Sequence, residues 1–436
     1  MTKLYPDVPD AVTVGGAEAT LTDEQIREFV LENLRGYDFD GKRVTLVVPD
    51  GTRHAPVAMM AHVIHEALAD RPKDVRVVIA LGTHDYMSDV AIGALMGCQP
   101  GRFEEEFPGW SIHNHNWRDP ETFVNLGTIT KERIGELSDG RLTDRDMTVH
   151  VNNMVVDNDI TLILGPVLPH EVVGISGGNK YLFPGLSGHD VIDMSHWLGA
   201  LITCMEMIGT RGITPVRQLI DAAAELVPSS KIMLGMIVKP GADSLQFVAF
   251  GDARAAWEAC AEVSSQVHVK YVPKPYKRVV SVIPEMYEDM WTAAKGFYKM
   301  EPIVADGGEL IIYAPHVQQI AAMHPGLEDI GYHNRDYFTG QWDRFKDHPW
   351  GELAHSTHLR GLGTYDSATG VETNRVQVTL ATGITREVVE QKAHLVYLDP
   401  ADVDLAAMEA DPDTLVVHRA GELLHRLESQ RHNLPA

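Results

Sequence analysis

Apolar and polar positions alternate between two periods along the first half of the chain. RVTLVVPDGTR (43–53) opens as a continuous apolar run and closes on a polar turn; VAMMAHVIHEALAD follows with apolar residues at helical spacing. VRVVIALGTHDYMS repeats the pattern ahead of the helical DVAIGALMG, and ITLILGPVLPHEVVG is a third instance. Apolar strands alternating with helices predict a parallel sheet covered on both faces. Upstream, TDEQIREFVLENL predicts a helix with Thr22 as its N-cap. Ligands collect at the carboxyl ends of strands in such sheets, so Asp50, Thr52, Arg53, His84 and His170 are expected on one rim.

Proline and basic residues cluster in KYVPKPYKRVVSVIP (270–284) before a fresh strand, the mark of a linker into a second α/β unit. DMWTAAKGFYKMEPIVADGGELIIYAPH then reads as helix, Gly-Gly turn and strand, and DTLVVHRAGELLHRLESQ as a last helix. With 436 residues the chain exceeds one ordinary core. The expectation is an N-terminal α/β domain over 1–272, a C-terminal α/β domain over 273–410, and a terminal helix over 411–436 packing back on the first. The sheets are expected to be parallel or mixed.

Charge narrows the function classes. Acidic residues outnumber basic ones by 61 to 37, a net charge of −24, which argues against binding nucleic acid or an anionic membrane. An anionic ligand therefore requires a local pocket. The N-terminal stretch has no apolar h-region, and no window reaches the roughly 18 apolar residues of a membrane span, so a cytoplasmic location is expected. Cys98, Cys204 and Cys260 are far apart and form no CxxC pair, so they read as small buried residues.

Several short motifs carry candidate chemistry, each beside a plainer reading. In PDGTRHAP (49–56), Asp50, Thr52 and Arg53 stand where a strand meets a helix N-terminus, a site for phosphate or carboxylate, or simply a cap with a surface arginine. His84, after Gly82-Thr83, and His170, after GPVLP, are two imidazoles suited to proton transfer near neutral pH; two bases on one pocket are what a racemase needs. SGGNK (176–180) lacks the P-loop spacing; its glycines supply a turn, while the YLFPG that follows Lys180 would desolvate the amine and make it a nucleophile or covalent anchor. In GHDVIDMSHW, His189, Asp193 and His196 share one helical face, with Asp193 able to orient His196, or the face is merely wet. HNHNW (113–117) has no third ligand nearby and reads as structural. Trp291 and Lys295 fall at i, i+4 on a helix of the second domain.

Together, Asp50-Gly51-Thr52-Arg53, Gly82-Thr83-His84, His170 with GISGGNKYLFPG, His196 and Lys295, in this order from about residue 40 to 320, resemble the lactate racemase family, which uses a nickel-pincer nucleotide. The resemblance implies that Lys180 is the covalent tether of this pyridinium mononucleotide, whose two sulfurs and one carbon bind nickel with His196 as fourth ligand. It further implies an active-site cleft between the domains. Asp50, Gly51 and Thr52 would take the phosphate, Ser176, Gly177 and Gly178 would let the backbone pass beside the cofactor, and Trp291 would lie against it. His84 and His170 would be alternating bases in a hydride-transfer inversion of a 2-hydroxy acid, with Arg53 and Lys295 on its carboxylate. Cofactor-biosynthesis proteins would be maturation partners. Asn179 replaces the family's usual arginine, Asp85-Tyr86 its arginine-proline, and Trp291-Thr292 departs from the lactate pattern, which implies a longer or sugar-like hydroxy acid. Two alternatives are a non-catalytic nucleotide or cofactor carrier and a zinc hydrolase on His84, His170 and His196.

Overall fold

The computed structural model describes residues 3–431. It is a mixed α/β structure dividing into two compact units: one of residues up to Leu168, Ile175–Ile192 and Arg211–Val267, the other of Pro169–Gly174, Asp193–Thr210 and residues from His268 onward. The boundary near 270 is where proline and basic residues cluster. Residues 169–174 and 193–210, expected in the N-terminal domain, belong instead to the second unit, and they take His170 and His196 with them.

The first unit is built on a seven-stranded sheet of β1 (Val12–Gly15), β2 (Arg43–Pro49), β3 (Asp74–Ala80), β4 (Trp110–Asn114), β5 (Ile160–Pro166), β6 (Ser230–Val238) and β7 (Leu245–Asp252). Their order is β1-β7-β6-β5-β2-β3-β4. The run from β6 to β4 is parallel, and β7 and β1 add an antiparallel edge. Alternate residues serve opposite faces. Val44, Leu46, Val48, Val77, Ile79, Leu162 and Leu164 join a core with helices α1 (Asp23–Gly36) and α2 (Val57–Leu68), while Val47, Val78 and Ile163 are equally buried. Thr22 caps α1 in a full capping box with Gln25, as its sequence predicts.

The second unit carries a five-stranded all-parallel sheet. Its strands are β8 (Tyr276–Val282), β9 (Val304–Ala314), β10 (Gln377–Thr382), β11 (Val396–Tyr397) and β12 (Thr414–His418), in the order β11-β10-β9-β8-β12. Three features differ from expectation. The 413–430 segment is not a helix: β12 pairs with β8, and Leu424–Leu427 pairs with Val269–Val272, both in this unit. Its apolar spacing fits either period, but Arg419 and Gly421 at positive φ interrupt any helix between the two strands. Residues 432–436 of that expectation lie outside the described residues. Gly307 and Gly308 are not a turn before β9 but lie inside it, where the pairing with β8 slips register. Finally, the helix expected to carry Trp291 and Lys295 is two single turns, Met290–Ala293 and Lys295–Tyr298.

Three of the buried histidines of this unit are strongly shifted by their surroundings. Burial pushes His355 and His358 down to about 3 and His425 down to about 4. They stay neutral in the fold, whereas an unfolded chain protonates histidine below its ordinary value of 6.5. The unfolded state thus binds more protons as pH falls, and each residue should cost about 1.4 kcal/mol of stability per pH unit below that value until its own depressed pKa is reached. The urea midpoint should therefore fall between pH 7 and 5, and His355→Phe should flatten that slope. An unchanged slope in the variant would show that burial does not hold His355 neutral.

Candidate functional site

Chain order in the first sheet reverses between β2 and β5, which is the topological switch point where such sheets place ligands. Asp50 follows β2, and 81–84 follow the neighbouring β3. The two ends meet: His84 Nδ1 lies 2.5 Å from Asp50 Oδ2. Asp50 is buried, and its other oxygen accepts from the Thr52 hydroxyl (2.6 Å) and backbone N–H (3.1 Å). Burial alone would raise its pKa, but the charge and hydrogen bond of His84, the Thr52 hydroxyl and the Arg53 guanidinium hold it well below the usual carboxylate range. An ionised carboxylate only accepts, so His84 carries a proton on Nδ1, and the neutral form of the ring presents its lone pair on Nε2. Trp117 Nε1–H donates to the His84 carbonyl (2.9 Å) and fixes the loop.

The turn that carries Lys180 docks on the same strand ends. Gly82 N–H donates to Gly185 O (2.9 Å), and the Tyr181 hydroxyl donates to Pro166 O (3.3 Å). Tyr181 passes so close to β5 that a Cβ on Gly165 would sit 1.9 Å from its hydroxyl oxygen. Burial raises the pKa of this hydroxyl. Lys180 is half-buried in the short 3-10 helix Gly178–Tyr181. The Ser-Gly-Gly run before it is held by protein. Ser176 gives its N–H to Leu168 O and takes Leu168 N–H on its hydroxyl. Buried Arg217 donates to Ile175 O and Gly177 O, and Trp257 Nε1–H to Ser176 O. Gly177 and Gly178 have positive φ, and side chains there would meet Val167 and Trp257. Arg217 and Trp257 are absent from any local motif; the one available hint was an arginine on the apolar side of Pro215–Glu225.

Nearer the anion expected from PDGTR, α2 has Pro56 at its N-cap, with no side-chain cap and no acidic residue in its first turn. Arg53 is half-buried two residues past Gly51. Thr52 and Asp50 are occupied with each other and with His84, so Asp50 sits as the partner of an imidazole. Beyond His84, Arg118 lies 3.3 Å from Asp85 and over the rings of Tyr86 (4.6 Å) and Trp117 (4.3 Å), a cation that local sequence did not point to.

In the second unit, His170 is buried and accepts from Val172 N–H at Nδ1 (3.1 Å). Glu171 Oε2 is also 3.3 Å from that nitrogen, while the amide contact has hydrogen-bond geometry. Neutral His170 therefore carries its proton on Nε2, the reverse of His84. His196 is half-buried with Ser195 Oγ 3.4 Å from Nδ1. Asp193, expected to orient it, accepts from Gly351 N–H (2.8 Å) at the start of Trp350–Arg360. Trp291 is sandwiched between His324 (3.9 Å) and His355 (4.2 Å), while Lys295 Nζ lies over Tyr287 (4.5 Å). Among the described residues no three His, Cys, Asp or Glu side chains are grouped to hold a metal ion, which leaves a three-histidine zinc centre without support. No described helix is long and apolar enough to cross a membrane.

Residues 23–206 match the family described as lactate racemase N-terminal domain. The chain is 22% identical over 328 residues to a lactate racemase of Thermoanaerobacterium thermosaccharolyticum, covering 72% of each chain. Its fold resembles that of the lactate racemase apoprotein of the same organism, with a TM-score of 0.71, 17% identity and 94% of each chain covered. A crystal structure of a Thermotoga maritima protein superposes with a TM-score of 0.86 and 30% identity, over 95% of this chain and all of that one. The order of motifs, the fold and these likenesses agree: residues 23–206 carry the N-terminal domain of the lactate racemase family, and the chain as a whole resembles a lactate racemase.

Proposed function

We propose that this protein is a racemase or epimerase of 2-hydroxy acids that works with a nickel-pincer nucleotide tethered at Lys180. The observation that carries the reading is the buried Asp50–His84 pair at a sheet switch point, in the same unit as Lys180 and docked on the same strand ends. The residues present suit such a group. A cofactor that brings three of nickel's four donors needs one protein ligand, His196, and no cluster of three. The uncapped start of α2 suits its phosphate. When bound, it supplies an electron-pair acceptor for the hydrogen on the substrate's second carbon.

The chain's own residues handle the proton and the carboxylate. His84 Nε2 accepts the hydroxyl proton, and Asp50 stabilises the imidazolium that results. His170 enters with its proton on Nε2 and so serves as donor while His84 serves as base. Two imidazoles are required because the hydroxyl points to opposite sides in the two enantiomers. Arg53 and Lys295 bind the substrate carboxylate. Asp85, Tyr86 and Arg118 beside His84 form a polar wall that suits an acid longer than lactate and hydroxylated along its chain.

Production together with the cofactor-making proteins tests the reading. Intact-mass and peptide analysis should find added mass at Lys180 with stoichiometric nickel, both absent from Lys180→Ala. His196→Ala should lose nickel. His84→Ala and His170→Ala should keep it and lose racemisation by about 10²- to 10⁴-fold. A carrier would show the mass and the nickel with no turnover of any hydroxy acid, and an unmodified Lys180 would overturn the proposal.

Asp50 yields a separate expectation. Its folded pKa is depressed, so its stabilisation is present above the ordinary value of 3.8 and is lost as pH falls through and below it. The urea-midpoint gap between the wild type and Asp50→Asn should be full at pH 7 and close below about pH 4. Turnover should drop on the order of 10³-fold with nickel retained. A gap independent of pH would remove Asp50 as an ionised partner of His84.

A further inference from the structure

A cavity of about 210 Å3 in the first unit is lined by Asn179, Asp221, Glu225, Lys231, Asp252 and Arg254, among others. Asn179 directly precedes Lys180 and is 4% exposed. Its amide donates from Nδ2 to Asp221 Oδ1 (2.9 Å), and since a carboxylate can only accept, that bond fixes which amide atom is which. Oδ1 of Asn179 is left buried with no hydrogen-bond partner. The second oxygen of Asp221 accepts from the Tyr5 hydroxyl (2.6 Å). Around Asn179 and Asp221 the lining thus offers acceptors and leaves one without a donor, a state native structures leave uncorrected in few places.

The same lining also carries cations. Lys231 Nζ donates to Val227 O (2.9 Å) and Ser229 O (3.0 Å) and keeps a third N–H. Arg254, half-buried, holds its Nε 3.6 Å from Asp252 and its guanidinium over the Tyr5 ring at 5.6 Å. A complementary ligand has a positively charged donor at one end and an anionic acceptor at the other. We propose that this cavity binds a small amino acid, its ammonium on Asn179 Oδ1 and Asp221 and its carboxylate on Arg254 and Lys231. Asn179 also accepts Leu182 N–H (3.0 Å) and Phe183 N–H (2.9 Å) on its carbonyl. A ligand that ties down its side chain therefore stiffens the turn holding Lys180. That consequence rests on the proposed function; the binding itself does not.

The test uses the full chain made without the cofactor-making proteins, so that neither nickel nor a modified Lys180 enters the readout. Glycine, β-alanine and γ-aminobutyrate are the probes, with acetate and methylammonium as the two half-ligands. At least one amino acid should raise the thermal midpoint at about 10 mM and bind in calorimetry. Each half-ligand should bind about ten-fold more weakly or worse. Arg254→Ala should fold normally and weaken binding by about ten-fold, and Asn179→Ala should weaken it comparably. No midpoint shift with any of the three amino acids, or undiminished binding in Arg254→Ala, overturns the site. Because unmodified protein is used, a failure here leaves the racemase reading standing, and the reverse holds equally.

Discussion

A carboxylate kept ionised inside the end of a sheet is the constraint from which the site follows. Asp50 has both oxygens engaged, one by His84 and the other by Thr52. Buried anions persist only when paired and hydrogen-bonded in this way. The pairing in turn fixes the His84 tautomer, holds the 81–84 loop beside β2, and gives the sheet edge a directed base. Because β2 and β3 are adjacent parallel strands, the residues that follow them emerge side by side without any further device.

A chain with a net charge of −24 has few cations to spare, and their placement is informative. Arg217 is wholly inside, stacked on Trp257 at 4.2 Å and bound to the carbonyls that lead to Lys180. Arg118 closes over the loop after His84. Each of these guanidiniums meets either an aromatic face or a set of carbonyls, which suits a weakly hydrated planar cation better than an ammonium. The loops around His84 and Lys180 thus lean on arginines that lie outside the motifs they support.

Much of the first unit was readable from periodicity. The runs 43–49, 74–80 and 160–166 are strands because they are β-branched and apolar on both faces, and Thr22 starts a helix because Gln25 completes its capping box. The Gly-Thr-His turn was legible because it ends such a run. The C-terminal segment was not, since VVHRAGELLHRL satisfies helical and strand spacing alike and only its long-range partners, Tyr276–Val282 and Val269–Val272, decide. The Ser-Gly-Gly motif read only as a turn because its partners, Leu168, Arg217 and Trp257, are invisible to any local window. The tautomers of His84 and His170 depend on one carboxylate and one amide, and no spacing rule reaches that detail.

The close approach of Tyr181 to β5 has an evolutionary corollary. Position 165 tolerates no side chain while a phenol lies across it, and the phenol has no seat unless position 165 is bare. Among relatives the two sites should covary as a unit: where one drifts, the other must drift with it, and the segment between them, which includes Lys180, is the stretch whose divergence that coupling restrains.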